Sequence, residues 1–206
     1  MNFTRYERGD GKAINWKRMT KNHDQRFSKV ARYVEMYCGT GKKILDVGCG
    51  NVNYRLGGEV TGYDITPREG IPNAHLLHEL VTDDAKNLDR HFQPGYFDCI
   101  TTLEMLEHLE NPVKFLRDCD KILKRGGLLI ISTPSPYYYR PVVGSLLYKK
   151  HSASEEKHVN CYPPRILNMN VCKMGYDIID VTSSRGRFYI PLISYSYLYV
   201  YKKRLK

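Results

Sequence analysis

Apolar residues along the chain follow two patterns, one with helical spacing and one of short uninterrupted runs. Residues 23–37 and 112–123 place apolar side chains every three or four positions, which predicts amphipathic helices. Four short apolar runs predict buried strands, at residues 43–48, 59–63, 96–102 and 128–132. Because strands and helices alternate, the pattern predicts an α/β fold built on a parallel sheet.

The last third of the chain has a different pattern. Residues 176–182 and 195–201 are strand-like, and no helical spacing is evident between them. Two successive strands without a crossover helix pair most simply in antiparallel fashion. We therefore expect an antiparallel strand pair at the C-terminal side of the sheet.

The length and the cysteines limit the class of protein. A chain of 206 residues is long enough to bury the core of one domain. The six cysteines lie far apart without a C-x-x-C pair, so they suggest neither a zinc site nor a disulfide framework. No apolar run approaches the roughly 20 residues of a membrane span. These features predict a soluble, cytoplasmic protein with reduced thiols.

The formal net charge of +10 is divided unevenly along the chain. Residues 1–45 carry 11 basic and 4 acidic groups (+7), residues 46–136 carry 9 and 14 (−5), and residues 137–206 carry 12 and 4 (+8). Basic flanks of this kind can attract an anionic acceptor, nucleic acid or an anionic membrane surface. They can equally form a solvated face.

A glycine loop after the first predicted strand is the most informative motif. Gly48 and Gly50 flank Cys49 and permit a sharp turn close to a ligand. Asp64 ends the next predicted strand, where a carboxylate can accept both hydroxyl groups of a ribose. Asn53 stands where a dinucleotide fingerprint would place its third glycine. The motif therefore favours an adenosine-containing cofactor other than a nicotinamide dinucleotide.

Five motifs in order resemble those of class I S-adenosylmethionine (SAM)-dependent methyltransferases. They are Ile44-Leu-Asp-Val-Gly-Cys-Gly50, Val60-Thr-Gly-Tyr-Asp-Ile65, Tyr96-Phe-Asp-Cys-Ile100, Glu104-Met-Leu-Glu-His-Leu109 and Leu123-Lys-Arg-Gly-Gly-Leu-Leu-Ile-Ile-Ser-Thr-Pro134. The resemblance covers residues 25–135 and is closest to the branch of ubiquinone-type O-methyltransferases and methyltransferases of polysaccharide and lipid pathways.

This resemblance implies a fold, a cofactor and a reaction. The fold would be a Rossmann-like, doubly wound and mostly parallel seven-stranded sheet. SAM would be the cofactor, and a hydroxyl group would receive the methyl group. An RNA methyltransferase and a non-catalytic SAM-binding protein are alternatives that stay open.

The resemblance also implies which residues bind SAM. Asp46 and the two loop glycines match positions around its methionine part, and Asp64 matches the ribose-binding carboxylate. Asp84 matches the acidic residue that faces the adenine amino group, with Asp83 as the alternative one position away and a polar loop or helix cap as the other interpretation. The expected cofactor-binding residues are Asp46, Gly48, Cys49, Gly50, Asp64, Ile65, Asp84, Ala85, Leu103 and Glu104.

The connection after the glycine loop departs from the family pattern. Val52 stands where many relatives have a further glycine, and the stretch from Gly50 to Glu59 is too short for a three-turn helix. We expect a turn or a short helix there, with SAM binding retained.

Two glutamates and a histidine follow the third predicted strand. Glu104, Glu107 and His108 have the i, i+3, i+4 spacing that places side chains on one face of a helix. In some related O-methyltransferases and in small-RNA terminal methyltransferases, a similar pattern forms a divalent-metal site, which His158 would complete here with an ion such as Mg²⁺. The alternative, which we prefer, is His108 or His158 as a metal-free general base.

The flanks are expected to form the acceptor side. We expect residues 1–22 to be a basic N-terminal segment or lid, and residues 23–206 to be a single SAM-binding domain with an acceptor-side insert at about 134–165. Three tyrosines before Arg140 can stack on an acceptor or serve packing alone. The insert favours a small, glycan or lipid-linked acceptor over nucleic acid. The aromatic and basic tail is typical of peripheral membrane contact, although its alternation fits a strand better.

Overall fold

Strands and helices alternate over most of the computed structural model. The structure describes residues 16–39, 41–50, 52, 56–71, 73–137, 159–184 and 194–205, with the side chains of the first helix from residue 25 onward. The strands are β1 (Lys43–Val47), β2 (Glu59–Asp64), β3 (Glu79–Thr82), β4 (Phe97–Leu103), β5 (Leu123–Pro134), β6 (Tyr176–Ser183) and β7 (Ser196–Lys203). The α-helices are α1 (Trp16–Cys38), α2 (Leu88–His91), α3 (Pro112–Ile122) and α4 (Pro164–Lys173). Single turns of 3-10 helix lie at Arg68–Gly70, Ala74–Leu76, Ala85–Asn87 and Leu106–His108.

The seven strands form one sheet in the order β3-β2-β1-β4-β5-β7-β6. β1 pairs in parallel with β2 on one side and with β4 on the other, and β7 runs antiparallel between β5 and β6. This sheet confirms the predicted mostly parallel, Rossmann-like architecture and its antiparallel C-terminal pair. The strand order reverses between β1 and β4, and ligands of such folds bind beyond the carboxyl ends of the strands at this point.

Two apolar clusters cover the two faces of the sheet. Ile44 packs in one cluster with Val34 of α1, whereas its neighbour Leu45 packs in the other with Leu116 of α3. Alternate residues of a strand point to opposite faces, so β1 is buried on both sides. The glycine loop that follows β1 therefore leaves the sheet from a rigid base.

The apolar pattern misses β3 and α4 and begins α1 too late. β3 has only four residues, none of them fully buried, so it lacks the apolar run that marks the other parallel strands. α4 begins at Pro164, inside the segment interpreted as an insert. Proline at the first helical position starts a helix rather than preventing one, because its missing N–H would have no helical partner there.

Some predictions fall partly outside the described residues. Residues 51 and 53–55 belong to the connection between β1 and β2, so the turn or short helix expected there stays a prediction. The same holds for most of the acceptor-side insert, including Arg140, and for residues 1–15 of the N-terminal segment. Within the part of the chain that the structure describes, no helix combines the length and apolar character needed to cross a membrane.

Candidate functional site

The expected cofactor-binding residues lie along one edge of the sheet. Parallel strands end at the same edge, and each of β1 to β4 contributes residues at or just beyond its carboxyl end. In strand order these are Asp46, Gly48, Cys49 and Gly50, then Asp64 and Ile65, then Asp84 and Ala85, then Leu103 and Glu104. The structure therefore brings together the set that the sequence suggested.

Gly48 fixes the turn that leaves β1. Its φ is +73°, and its N–H donates to the carbonyl oxygen of Tyr63 at 2.7 Å. A Cβ atom at Gly48 would lie 2.8 Å from Cγ of Met105. Both the left-handed backbone and this close approach require glycine. The loop after β1 consequently packs directly against the turn after β4.

Asp64 is held by backbone groups on both sides of its carboxylate. The N–H of Gly50 donates to Oδ2 at 2.9 Å, and the N–H of Thr66 donates to Oδ1 at 2.9 Å. Each carboxylate oxygen retains further acceptor capacity, so Asp64 can still accept the hydroxyl groups of a ribose. The next residue, Ile65, is 72% exposed and presents an apolar surface beside Asp64.

Asp46 is a buried carboxyl group at the centre of the edge. It is 1% exposed, its Oδ1 accepts from the hydroxyl of Thr101 at 2.6 Å, and its Oδ2 has no hydrogen-bond partner among the described residues. Burial raises the pKa of Asp46 to about 7, against the opposing effect of the Thr101 hydrogen bond. A carboxyl group that ionises near neutral pH suits a site that receives a cationic ligand.

The thiol of Cys49 is directed into the protein. A Cβ atom on Gly62 of β2 would lie 2.9 Å from Cys49 Sγ, so the sulfur packs against the sheet. Burial raises the pKa of this thiol, which keeps it neutral. Because the thiol is directed into the protein, the prediction that Cys49 binds the cofactor applies to its backbone groups.

Asp83 and Asp84 have different surroundings. Asp83 lies 2.7 Å from Nε2 of His91 and accepts from the side chain of Asn87, and these contacts lower its pKa to about 2. Asp84 accepts from the N–H of Lys86 and so caps the 3-10 turn at Ala85–Asn87. The helix-cap interpretation is confirmed for Asp84, and its contact with adenine stays a prediction.

Glu104 has a strained backbone just beyond β4. Its φ is +56°, which is rare for a residue other than glycine and is concentrated at functional sites. Its N–H lies 2.9 Å from the carbonyl oxygen and 3.0 Å from the hydroxyl of Ser132. That hydroxyl donates to Glu104 Oε1 at 2.9 Å. The carboxylate is thereby fixed over the end of β5.

Arg26 on α1 is a site residue that the sequence reasoning missed. It is buried, its Nη1 lies 3.0 Å from Glu104 Oε1, and its charge opposes the rise in the pKa of Asp46. A guanidinium group therefore lies among the acidic side chains of the edge. The signal in the sequence is its spacing, because Arg26, Val30 and Val34 share the buried face of α1.

The segment after Glu104 is a turn of 3-10 helix at Leu106–His108. Glu107 is 2% exposed, whereas His108 is exposed and lines a cavity of about 300 Å³ that Asp84 and Ala85 also line. The prediction that Glu104, Glu107 and His108 share one helical face is wrong, because the left-handed backbone at Glu104 interrupts the helix. Burial, and then the charge of Glu104, raise the pKa of Glu107 to about 8.

The described residues do not assemble the expected metal site. Within them, no group of three or more histidine, cysteine, aspartate and glutamate side chains is arranged to hold an ion. Glu104 is already paired with the cationic Arg26, which would repel a divalent metal. His158, expected either to complete the site or to act as a base, lies outside the described residues.

The order of strands, loops and acidic residues matches a known family over most of the chain. A model of the methyltransferase domain family matches residues 19–181. The chain belongs to this family. The match runs from α1 into β6, so it includes Arg26 as well as the glycine loop and Asp64.

Curated relatives of this methyltransferase are bacterial proteins named ubiquinone biosynthesis O-methyltransferase. The protein of Xanthomonas campestris pv. campestris (strain B100) is 38% identical over 104 residues, covering 45% of this chain and 43% of the relative. The protein of Dechloromonas aromatica (strain RCB) is 35% identical over 119 residues, covering 51% of each. The chain spans about half the length of the curated relatives it matches.

Solved structures share the fold of this methyltransferase at low sequence identity. A SAM-dependent methyltransferase from Archaeoglobus fulgidus has a TM-score of 0.65 and 16% identity, covering 92% of this chain and 100% of that chain. The [4+2]-cyclase SpnF has a TM-score of 0.61 and 17% identity, covering 86% and 82%. These likenesses confirm the fold, and the cyclase shows that the fold alone does not determine the reaction.

Proposed function

We propose that this protein transfers a methyl group from SAM to a hydroxyl group of a small, glycan or lipid-linked acceptor. The observation that carries the proposal is the geometry of Asp64, which braces the glycine loop through Gly50 while retaining acceptor capacity for a ribose. Membership of the methyltransferase family supports methyl transfer. The names of the curated relatives support an oxygen as the acceptor atom.

The charges at the edge of the sheet are complementary to the parts of SAM. In this proposal, Asp64 accepts the ribose hydroxyls and Ile65 covers the adenine. The carboxylates of Asp46 and Glu104 face the ammonium and sulfonium charges, which would replace part of the hydration those ions lose on binding. Arg26 pairs with the carboxylate of the methionine part, since a guanidinium group forms strong two-point hydrogen bonds with a carboxylate.

The reaction requires alignment and the removal of one proton. SAM supplies an activated methyl group, whose bond to sulfur breaks as a bond to the acceptor oxygen forms, leaving S-adenosylhomocysteine. The protein has to hold the hydroxyl in line with that bond and accept its proton. His108 and His158 remain our candidates for the base, and Glu107 joins them because its pKa is raised to about 8 and it adjoins Glu104.

Calorimetry with SAM and S-adenosylhomocysteine tests the cofactor half of the proposal. We expect the folded protein to bind both ligands at one site. Absence of binding by protein with a normal unfolding transition would contradict the proposal.

Mass spectrometry tests the acceptor half. The protein is incubated with isotopically labelled SAM and fractionated cell extract, and we expect the label in a small, glycan or lipid-linked hydroxyl compound. Label confined to RNA would instead support an RNA methyltransferase. SAM binding without label in any fraction would support a non-catalytic SAM-binding protein.

A further inference from the structure

Three buried polar atoms near Glu107 have no hydrogen-bond partner among the described residues. They are Oε2 of Glu107, Oγ1 of Thr133 and Oη of Tyr162. They come from the 3-10 turn after β4, from the end of β5 and from the segment before α4. These three side chains are called the Glu107 pocket.

Glu107 interacts with each of the other two side chains. The Thr133 side chain opposes the rise in the pKa of Glu107, although its hydroxyl does not meet hydrogen-bond geometry. The charge of Glu107 in turn raises the pKa of Tyr162, after the larger effect of burial. Thr133 and Tyr162 therefore both lie near Glu107, and none of the three unpaired atoms has a hydrogen-bond partner among the described residues.

Backbone hydrogen bonds fix the position of Tyr162 relative to Glu107. The N–H groups of Val159 and Asn160 both donate to the carbonyl oxygen of Glu107, at 2.9 and 3.0 Å. The side chain of Asn160 donates to the carbonyl oxygen of Leu109. The segment before α4 is thus attached to the turn after β4. The backbone that carries Glu107 and the backbone that leads to Tyr162 are therefore fixed relative to each other.

Unpaired buried polar atoms destabilise a folded protein, and native structures contain few of them. Three such atoms in neighbouring segments indicate a group that bonds to them when it is present. The pocket adjoins Glu104, whose carboxylate is fixed over the end of β5. It is therefore next to the place where the proposed methyl donor would lie.

The charges around the pocket determine what kind of group fits. The charges of Glu104 and Arg26 are paired with each other, and the carboxyl group of Glu107 offers no positive charge, so nothing here attracts an anion. Arg26 also disfavours a second cation at this position. A hydroxyl group both donates and accepts, which matches a pocket that contains one carboxyl and two hydroxyl groups.

We infer that the Glu107 pocket binds an uncharged hydroxyl group of the acceptor through Glu107, Thr133 and Tyr162. This inference rests on the proposed methyl transfer and specifies its substrate class. Alcohols, phenols and sugars fit the pocket at the reacting end, whereas carboxylates, phosphates and ammonium groups do not. Basic residues elsewhere remain available to an anionic group on a distant part of the same molecule.

Ligand-observed NMR on the full chain loaded with S-adenosylhomocysteine tests the inference. The hydroxyl probes are catechol and methyl α-glucopyranoside, the anionic probes are benzoate and methyl phosphate, and the cationic probe is benzylamine. We expect at least one hydroxyl probe to bind. The substitutions Thr133→Val, Tyr162→Phe and Glu107→Gln should each weaken that binding by about three- to tenfold, because each removes one hydrogen-bonding group.

Two matched controls separate the pocket from general effects of the same substitutions. Tyr201→Phe removes a hydroxyl that donates to Asn168 at 2.7 Å and is not one of the three pocket groups, and Thr61→Val alters a buried threonine on β2. Neither should change probe binding. The affinity for S-adenosylhomocysteine is measured in every variant and should stay within about twofold of the wild-type value.

The possible results distinguish this inference from the proposed function. Unchanged probe affinity in the three pocket variants, a preference for the anionic or cationic probes, or no binding of either hydroxyl probe would overturn the inference alone. A pocket variant that fails to fold would show that the group it lost has a structural partner, which also overturns its assignment. Failure of the wild type to bind S-adenosylhomocysteine would instead contradict the proposed function.

Discussion

Asp64 and Glu107 are carboxyl groups at the same edge of the sheet, but their surroundings are opposite. Both oxygens of Asp64 accept backbone N–H groups, one from Gly50 and one from Thr66. Glu107 is 2% exposed, and one of its oxygens has no partner among the described residues. Each oxygen of Asp64 has a hydrogen-bond partner before a ligand binds, whereas Oε2 of Glu107 has none among the described residues.

This difference shows that the two parts of the edge, one proposed to bind the cofactor and the other the acceptor, are built in different ways. The cofactor half is made by backbone turns that a glycine loop and a carboxylate hold in place. The acceptor half leaves polar side chains unpaired, at a cost in stability that a ligand can recover. Substitutions in the first half should therefore reduce both stability and SAM binding, and those in the second should mainly affect the acceptor.

Removal of the Asp64 carboxylate should have the largest effect. Asp64→Ala removes the proposed ribose acceptor together with the hydrogen bonds from Gly50 and Thr66, so we expect the Kd for SAM to rise at least about 100-fold. Calorimetry measures this change. Asp177→Ala is the control, because Asp177 is exposed on β6 and pairs only with Arg204 in the described structure. Retained affinity in Asp64→Ala would place the ribose elsewhere.

A pair of glycine substitutions should separate backbone strain from close contact. Gly39 and Gly48 both have a φ of +73°, but a Cβ atom at Gly39 would meet nothing within 4 Å, whereas one at Gly48 would lie 2.8 Å from Met105. We expect Gly39→Ala to lower the free energy of unfolding by about 1 kcal/mol and Gly48→Ala by about 2–3 kcal/mol. Urea unfolding measures both. Equal losses would mean that Met105 moves aside without cost.

The pH dependence of stability should reveal the buried Asp46. Its folded pKa of about 7 lies above the ordinary value of 3.8, so between these values the folded state holds one more proton than the unfolded state. Rising pH therefore destabilises the fold across this range, by about 2 kcal/mol between pH 5 and pH 6.5 for an isolated group. The free energy of unfolding of Asp46→Asn should lack this component. Identical pH profiles for the two proteins would show that Asp46 is ionised throughout.

Two threonine substitutions should give the smallest changes in the free energy of unfolding, and they compare the two halves most directly. The hydroxyl of Thr101 donates to Asp46 at 2.6 Å, whereas that of Thr133 has no partner among the described residues. We expect Thr101→Val to lower the free energy of unfolding by about 1 kcal/mol at pH 8, and Thr133→Val to leave it unchanged or raise it slightly. Thermal and urea unfolding measure both. A comparable loss in Thr133→Val would remove the distinction between the halves.

The sequence predicts the central fold well because the signals there are local. β1, β2, β4 and β5 each contain an apolar run, and the glycine loop directly follows β1. β3 is missed because a short, half-buried strand has no such run. α4 is missed because it begins inside the segment interpreted as the acceptor-side insert.

The site is predictable only where its residues adjoin a strand end. Asp46 and Asp64 are found from their position relative to β1 and β2. Arg26 reaches Ser132 across 106 positions of sequence, and this contact depends on how α1 packs on the sheet. The helical spacing of Glu104 and Glu107 is compatible with a helix or a turn, and the backbone angle that decides between them at Glu104 is not visible in the sequence.

The contacts of α1 also determine when the site can form during synthesis. Lys29 donates to the carbonyl oxygen of Ser183 and Tyr33 donates to Asp180, across 154 and 147 positions of sequence. A chain emerging from the ribosome presents α1 early and β6 late, and β7, which holds β6 in the sheet, later still. These polar contacts, which attach α1 to β6, can therefore form only after most of the chain has been translated.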